Sequence, residues 1–177
     1  MSRRARTYLK LAAAAVLAIV AVAFVSKRVG GLRKTGEEGA TIWFYDQSER
    51  RLYEVPRDTI PPHKGIGGPS GDGVRAVVVA FRSEQSDPSK RRIAYLESCT
   101  PELKDLLEMI RAARASGQAF KGRIPSHDSD YFQTNSLVKG LEETEWHASS
   151  SSEGRRAMTA WRSWRGPDGQ PPVACLP

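Results

Sequence analysis

Near the C-terminal end of the sequence lies a group of residues whose types are well suited to binding a partner. The stretch WRSWRG alternates two indoles with two guanidinium groups, at Trp161, Arg162, Trp164 and Arg165. Such groups together bind acidic or carbohydrate partners, because indole faces attract cations and both side chains are frequent in binding hot spots. The same spacing also suits an amphipathic helix that packs an indole into the core and leaves its arginines in water. The packing interpretation is favoured, and the four residues are kept as a possible interaction surface.

The sequence lacks two common motifs of hydrolytic enzymes. The histidines, His63, His127 and His147, belong to no H-E-x-x-H pattern, and no serine belongs to a G-x-S-x-G pattern. The segment 127–130 (HDSD) offers fewer ligands than a hard cation needs, and we predict a solvated loop there. The glycine-rich stretch 65–71 precedes a strand pattern instead of a helix, so it is predicted to be a mobile loop and not a phosphate site. No catalytic residue, cofactor or metal is predicted.

The two cysteines, Cys99 and Cys175, match no zinc-ligand spacing. In an oxidising compartment they could form a disulfide that pins the C-terminal strand to the sheet. Such a bridge needs Cα atoms within about 7 Å of each other. The sequence does not decide between this disulfide and two separate thiols.

The positive charge of the chain is concentrated in its first forty residues. The net charge is +7, and residues 1–40 contribute eight Lys or Arg side chains against Glu37 and Glu38. The remaining residues are therefore almost neutral. A nucleic-acid-binding domain carries its positive charge on the folded surface, whereas basic flanks around an apolar segment meet anionic lipid head groups. We therefore expect contact with a membrane and no binding to nucleic acid.

Leu11–Val25 is a continuous run of fifteen apolar residues. As a helix it spans about 23 Å, and extension back to Thr7 gives about 28 Å, close to a hydrocarbon thickness of about 30 Å. The run is predicted to be an uncleaved anchor that contacts the membrane over residues 7–26. A signal peptide cleaved near Ala23 is the alternative, which is disfavoured because the apolar run continues past that site.

Lysines and arginines flank the run equally, four on each side, so the positive-inside rule does not fix its orientation. The short basic tail before the run resembles an export signal and favours an extracytoplasmic C-terminal domain. The predicted location is the bacterial inner membrane, as a single-pass protein. A secreted or periplasmic product is the alternative if the segment is cleaved.

The chain is predicted to comprise a tail and anchor (1–26), a flexible linker (27–40) and a soluble domain (41–177).

Two helices are predicted in the soluble domain. A threonine N-cap, a first-turn proline and an apolar stripe predict a helix from Pro101 to just before Gly117, and a second is predicted over Gly154–Trp164. The expected fold is α+β, an N-terminal transmembrane helix followed by a mainly antiparallel sheet with one or two helices packed on it. The strands are predicted from β-forming residues at Thr41–Asp46, Leu52–Val55, Val74–Phe81, Arg92–Ser98, Asn135–Lys139 and Pro172–Leu176.

A family resemblance is carried by three stretches of the sequence: GVRAVVVAF at Gly73–Phe81, RIAYLESCTPE at Arg92–Glu102 and WRSWRGPDG at Trp161–Gly169. With them the chain resembles a group of uncharacterised bacterial proteins that have one N-terminal hydrophobic segment and a small extracytoplasmic domain. The resemblance implies an anchored extracytoplasmic domain, and it implies neither an activity nor a functional residue.

A hydrophobic helix before a small α+β domain is also similar to the layout of type IV pilins and pseudopilins. The run at 11–25 contains neither the glycine nor the glutamate that such a leader and stem would carry, and Gly30-Gly31 interrupt any continuous stem helix. A pilin-like or pseudopilin-like subunit is therefore only an alternative.

These patterns together predict an anchored, non-enzymatic domain that binds or scaffolds an unidentified protein in the cell envelope. The alternative from another class is a small envelope enzyme whose site is built from loops 56–73 and 120–131. An enzyme should present a concave cleft with convergent polar groups and a titratable residue of shifted pKa.

Overall fold

The computed structural model describes residues 40–68, 71–123, 125 and 129–177. The predicted anchor at Leu11–Val25 and the predicted linker up to residue 39 lie outside the described residues. Within the described part of the chain, no helix combines the length and the apolar character needed to cross a bilayer.

Seven strands of the described chain form one antiparallel sheet in the order β2-β1-β3-β4-β5-β6, which confirms an α+β fold with a mainly antiparallel sheet. The seventh strand, β7, pairs with the end of β3 and continues β1 along the same edge of that strand. The strands are β1 (Thr41–Asp46), β2 (Arg51–Pro56), β3 (Gly73–Ala80), β4 (Arg92–Cys99), β5 (Ser136–Lys139), β6 (His147–Ala148) and β7 (Val173–Ala174).

Three α-helices accompany the sheet in the described residues: α1 (Pro101–Ala115), α2 (Ser129–Asn135) and α3 (Ser152–Thr159). The predicted N-cap of α1 is confirmed, since the Thr100 hydroxyl accepts the Leu103 N–H. The second predicted helix begins earlier and is shorter than expected. Ser151 caps α3 by accepting the Gly154 N–H at 2.9 Å, and a 3₁₀ turn over Ala160–Ser163 replaces its last part. Helix α2 and strand β6 were not predicted.

Strand β3 lies at the centre of the sheet, as its continuous valine run predicted. Val74, Val78 and Val79 are at most 2 % exposed, whereas Arg75 is exposed. The register against β4 shifts between Val77 and Val78. Such an irregularity changes which side chains face each side of the sheet.

The two faces of the sheet are covered differently. On one, which we call the loop face, five buried residues form the central cluster, with Leu141 and Trp146 of the β5–β6 loop packed against them. The members of that cluster are Tyr45, Val74, Ala76, Val78 and Leu96. On the opposite, helical face, α3 contacts β4, β5 and β6. Helix α1 is fixed through Leu103, which is 2 % exposed, whereas Met109 further along is 58 % exposed.

Candidate functional site

The long loop between β2 and β3 is fastened to the end of β1 by two aspartates. Asp46 is fully buried and accepts the N–H groups of Glu49 at 2.8 Å and Ile66 at 2.5 Å. Asp72 accepts the Gly65 N–H at 3.0 Å. The Ser48 hydroxyl lies between the two carboxylates, 2.9 Å from Asp46 Oδ1 and 2.6 Å from Asp72 Oδ2. The glycine-rich stretch, predicted to be a mobile loop, is therefore bonded to Asp46 at the end of β1 and to Asp72 just before β3.

Two backbone N–H groups of this stretch already have carboxylate partners. They are those of Gly65 and Ile66, so they are not free to bind a phosphate. A Cβ added at Gly65 would lie within 2.5 Å of oxygens from both Asp46 and Asp72, so glycine is required where the loop crosses them. The N–H of Glu49, followed by the other donors around Asp46, lowers the pKa of this carboxyl to about 2.

A concave site lies on the helical face, between α1 and α3. It is a cleft of about 360 Å³ over β4 and β5, at the lower end of the range of about 300–1,000 Å³ that ligand pockets occupy. Its apolar walls come from α1, β5 and α3. They include Leu103, Leu107, Leu137 and Met158.

Polar side chains stand at the floor and rim of the cleft. On the floor, Arg75 Nε lies 3.3 Å from Glu97 Oε2, so these two charges neutralise each other. At the rim, Arg57 is exposed and forms no salt bridge with any described residue. The hydroxyls of Ser136 and Ser149 also line the cleft. The cleft therefore joins an apolar wall to one uncompensated guanidinium group.

Cys99 lies in this cleft, but its environment suppresses thiol reactivity. Burial raises the pKa of Cys99 to about 11, and its Sγ–H donates to the carbonyl oxygen of Pro61. A thiol nucleophile needs a lowered pKa, because the thiolate is the reactive form. Burial, and then the charge of the neighbouring Glu97, likewise raise the pKa of Tyr95 on the same strand to about 12.

The two cysteines do not form the disulfide that the sequence left open. Both are free thiols. The Cys175 N–H donates to Val78 O, and Val78 is paired with Ile93 near the start of β4. Cys99 is the last residue of β4, about 20 Å further along at about 3.3 Å per residue. This separation is far beyond the reach of a disulfide.

The four residues of the possible interaction surface lie in and after the 3₁₀ turn that follows α3. Trp161 and Trp164 are half-buried, while Arg162 and Arg165 are exposed. The Trp161 Nε1–H donates to Met158 O at 2.8 Å, and the Arg162 guanidinium lies 5.7 Å from the centre of the Trp161 ring. Arg165 donates to the backbone oxygens of Arg162 and Trp164. The cluster is therefore held by contacts among its own residues and by one hydrogen bond to α3, and its role in binding stays a prediction.

The structure brings only part of the two predicted enzyme loops to the cleft. Arg57, Thr59 and Pro61 of loop 56–73 line it. Within loop 120–131, residues 124 and 126–128, with His127, lie outside the described residues, and residues 129–131 begin α2. No group of three metal-ligating side chains occurs in the described part of the chain.

Sequence patterns did not identify the residues that form the cleft. Arg57, Arg75 and Met158 come from a loop, a strand and a helix that are far apart in the sequence. One signal was present: Arg75 interrupts the apolar run of β3, and a charged residue in a central strand needs a partner or a cleft.

Comparisons with known proteins give no relative for this chain: no protein-family model, no curated protein and no solved structure matches it.

Proposed function

We propose that this protein is a non-enzymatic binding module of the bacterial cell envelope, whose cleft between α1 and α3 takes a small anionic amphiphile. The observation that carries the proposal is the cleft itself, with apolar walls from Leu103, Leu107 and Met158 and one unpaired cation, Arg57, at its rim. A short alkyl chain fits the apolar walls, and a carboxylate or phosphate group fits the guanidinium.

Several features of the cleft support binding instead of catalysis. Its thiol, Cys99, is held in the protonated form by the raised pKa. No histidine of the described chain lines the cleft beside Ser98, Ser136 or Ser149, and a serine nucleophile needs such a base. The carboxylate of Glu97 is paired with Arg75. These groups can recognise a ligand, but none is activated for attack.

Attachment to the membrane is part of the proposal and rests on the sequence. The apolar run Leu11–Val25 and its basic flanks support a single-pass anchor, and the short N-terminal tail supports an extracytoplasmic domain. The resemblance to anchored bacterial envelope proteins supports the same placement.

The cleft can be tested with methionine methyl groups as reporters. The methionines of the chain are Met1, Met109 and Met158. Of the two that the structure describes, Met158 lines the cleft and Met109 is exposed on α1. The full chain, labelled with ¹³C at the methionine methyls and held in lipid nanodiscs, is titrated with hexanoate. We expect a saturable shift of the Met158 signal, assigned with Met158→Leu, and a constant Met109 signal.

Charge recognition is tested by Arg57→Gln. Loss of a charge-assisted hydrogen bond, about 1.5–3 kcal/mol, should weaken hexanoate binding roughly 10- to 100-fold. Arg82→Gln, an exposed arginine outside the cleft, should bind hexanoate as the wild type does, and hexanol should bind weakly to every variant. Equal shifts of Met109 and Met158, or unchanged binding by Arg57→Gln, would contradict the proposal.

A further inference from the structure

A second cavity lies on the loop face of the sheet, and its most unusual group is Lys139 at the end of β5. Lys139 is only 9 % exposed. Its ammonium group lies 4.9 Å from the centre of the Trp146 ring. It forms no salt bridge or hydrogen bond with any residue that the structure describes. A buried lysine without a counter-ion is rare, because desolvation disfavours its charged form.

The side chain of Lys139 lines a cavity of about 440 Å³, bounded by the β1–β2 turn and the β5–β6 loop. The other charged groups in its wall are Arg50, Glu142 and Glu143, with the Tyr45 hydroxyl beside Arg50. Arg50 and Glu142 approach to 3.6 Å, and Glu143 Oε2 accepts the Gly140 N–H at 2.8 Å. Two cations face two carboxylates, so the cavity as a whole does not select an anion.

The burial of Lys139 disfavours its charged form relative to that of an exposed lysine. Burial lowers its pKa, and the nearby charge of Glu143 opposes this only in part. The neutral amine is the form of lysine that attacks carbonyl groups. Leu96 and Leu141 line the same cavity and offer apolar contact to the rest of such a compound.

We propose that Lys139 is a reactive amine that condenses with a small aldehyde or ketone bound in the cavity between the β1–β2 turn and the β5–β6 loop. Nζ forms a bond to the carbonyl carbon, and the carbon–oxygen double bond opens to a hydroxyl. That oxygen then leaves as water with the two protons that Nζ gives up, and an imine remains. The step consumes no oxidant or reductant. Because the cavity lies on the opposite face of the sheet from the cleft, this site is independent of the proposed ligand-binding function.

The test is selective labelling of the intact chain at pH 7 with butanal and cyanoborohydride, which reduces each imine to a stable alkylamine. Peptide mapping by mass spectrometry compares Lys139 with the exposed Lys64, Lys90 and Lys121. We expect Lys139 to be labelled faster than these three lysines, since a lowered pKa leaves a larger fraction of the amine neutral. Lys139→Arg should lose only this adduct.

A second variant separates reactivity from simple access. Glu143→Gln removes the charge that raises the pKa of Lys139, so half-maximal labelling of Lys139 should move to lower pH, while Lys90 keeps its profile. Labelling that follows exposure, with Lys139 the slowest, would overturn the proposal. So would a pH profile of Lys139 that matches Lys90, because it would show an ordinary ammonium in the cavity. Neither result bears on hexanoate binding in the cleft.

Discussion

At the scale of single residues, Asp46 joins two separate segments of the chain. Its carboxylate is fully buried and takes up N–H groups from the β1–β2 turn and from the glycine-rich loop. A buried carboxylate is stable only when donors surround it. Asp46 thus helps to fix the course of the loop between β2 and β3, although the loop is rich in residues that favour no regular structure.

Acid should release this loop before the rest of the sheet unfolds. The pKa of Asp46 is lowered to about 2, from about 3.9 in an unfolded chain. Its contribution to stability is therefore complete above about pH 4 and is lost as the pH falls towards 2. We expect the melting temperature of the wild type to fall over this interval, and Asp46→Asn to melt several degrees lower at pH 7 with a weaker dependence on acid. Circular dichroism melts from pH 7 to pH 2 measure both.

The control is Asp105→Asn, which changes an exposed aspartate of α1 and should reproduce the wild-type curve. An Asp46→Asn protein with the same acid profile as the wild type would show that the carboxylate does not hold the loop.

At the scale of elements, the fold depends on how closely α3 approaches the edge of the sheet. Gly154, in the first turn of α3, is buried against β6. A Cβ there would lie 2.1 Å from the carbonyl oxygen of Ala148. Ser151 caps the helix from the same turn, since its hydroxyl donates to Ala148 O and accepts the Gly154 N–H. Helix α3 is therefore positioned by backbone contact with β6.

Gly154→Ala tests this contact. Within a helix, alanine is usually more stable than glycine by up to about 1 kcal/mol, but here the clash is with backbone that cannot rotate away. We expect a net loss of about 1–3 kcal/mol, as for other overpacked sites, measured by urea unfolding. Ser152→Ala, at an exposed position of α3, should stay within about 0.5 kcal/mol of the wild type. A Gly154→Ala protein more stable than its parent would contradict this packing.

The sequence predicted elements that have a local signature and missed those that depend on distant contacts. Strands β1 to β4 and helix α1 follow from runs of β-forming residues, from the Thr100 N-cap and from the apolar stripe of α1. Strand β6 has two residues and exists because β5 lies beside it. The cleft was not predictable, because Arg57 has no distinguishing pattern in its loop and approaches Met158 only through the fold. The burial of Lys139 was not predicted either, because a lysine at the end of a strand is usually exposed.

At the scale of the whole molecule, the distribution of charge separates the two parts of the chain. Nearly all of the net charge of +7 belongs to residues 1–40, which surround the apolar run. The described domain is nearly neutral, so it has no strong electrostatic attraction of its own to anionic lipid. The proposed attachment to a membrane therefore depends on the hydrophobic segment.

This dependence predicts the result of membrane fractionation. The full chain should sediment with membranes and should resist extraction by 1 M salt and by alkaline carbonate, since neither treatment removes an inserted helix. Removal of residues 1–40 should yield a protein that stays in the supernatant. A mature product that begins at Phe24, found by N-terminal sequencing, would instead establish the cleaved signal peptide.

The two edges of the sheet affect how copies of this protein behave when they are crowded together. Strand β2 carries the exposed charges of Arg51 and Glu54 and ends at Pro56, which has no N–H to donate. Strand β6 offers only two residues, and within the described chain no strand covers the outer side of either edge. An incoming strand would have to desolvate charges on one edge and would find almost no template on the other. Growth of fibrils through these two edges is thereby disfavoured.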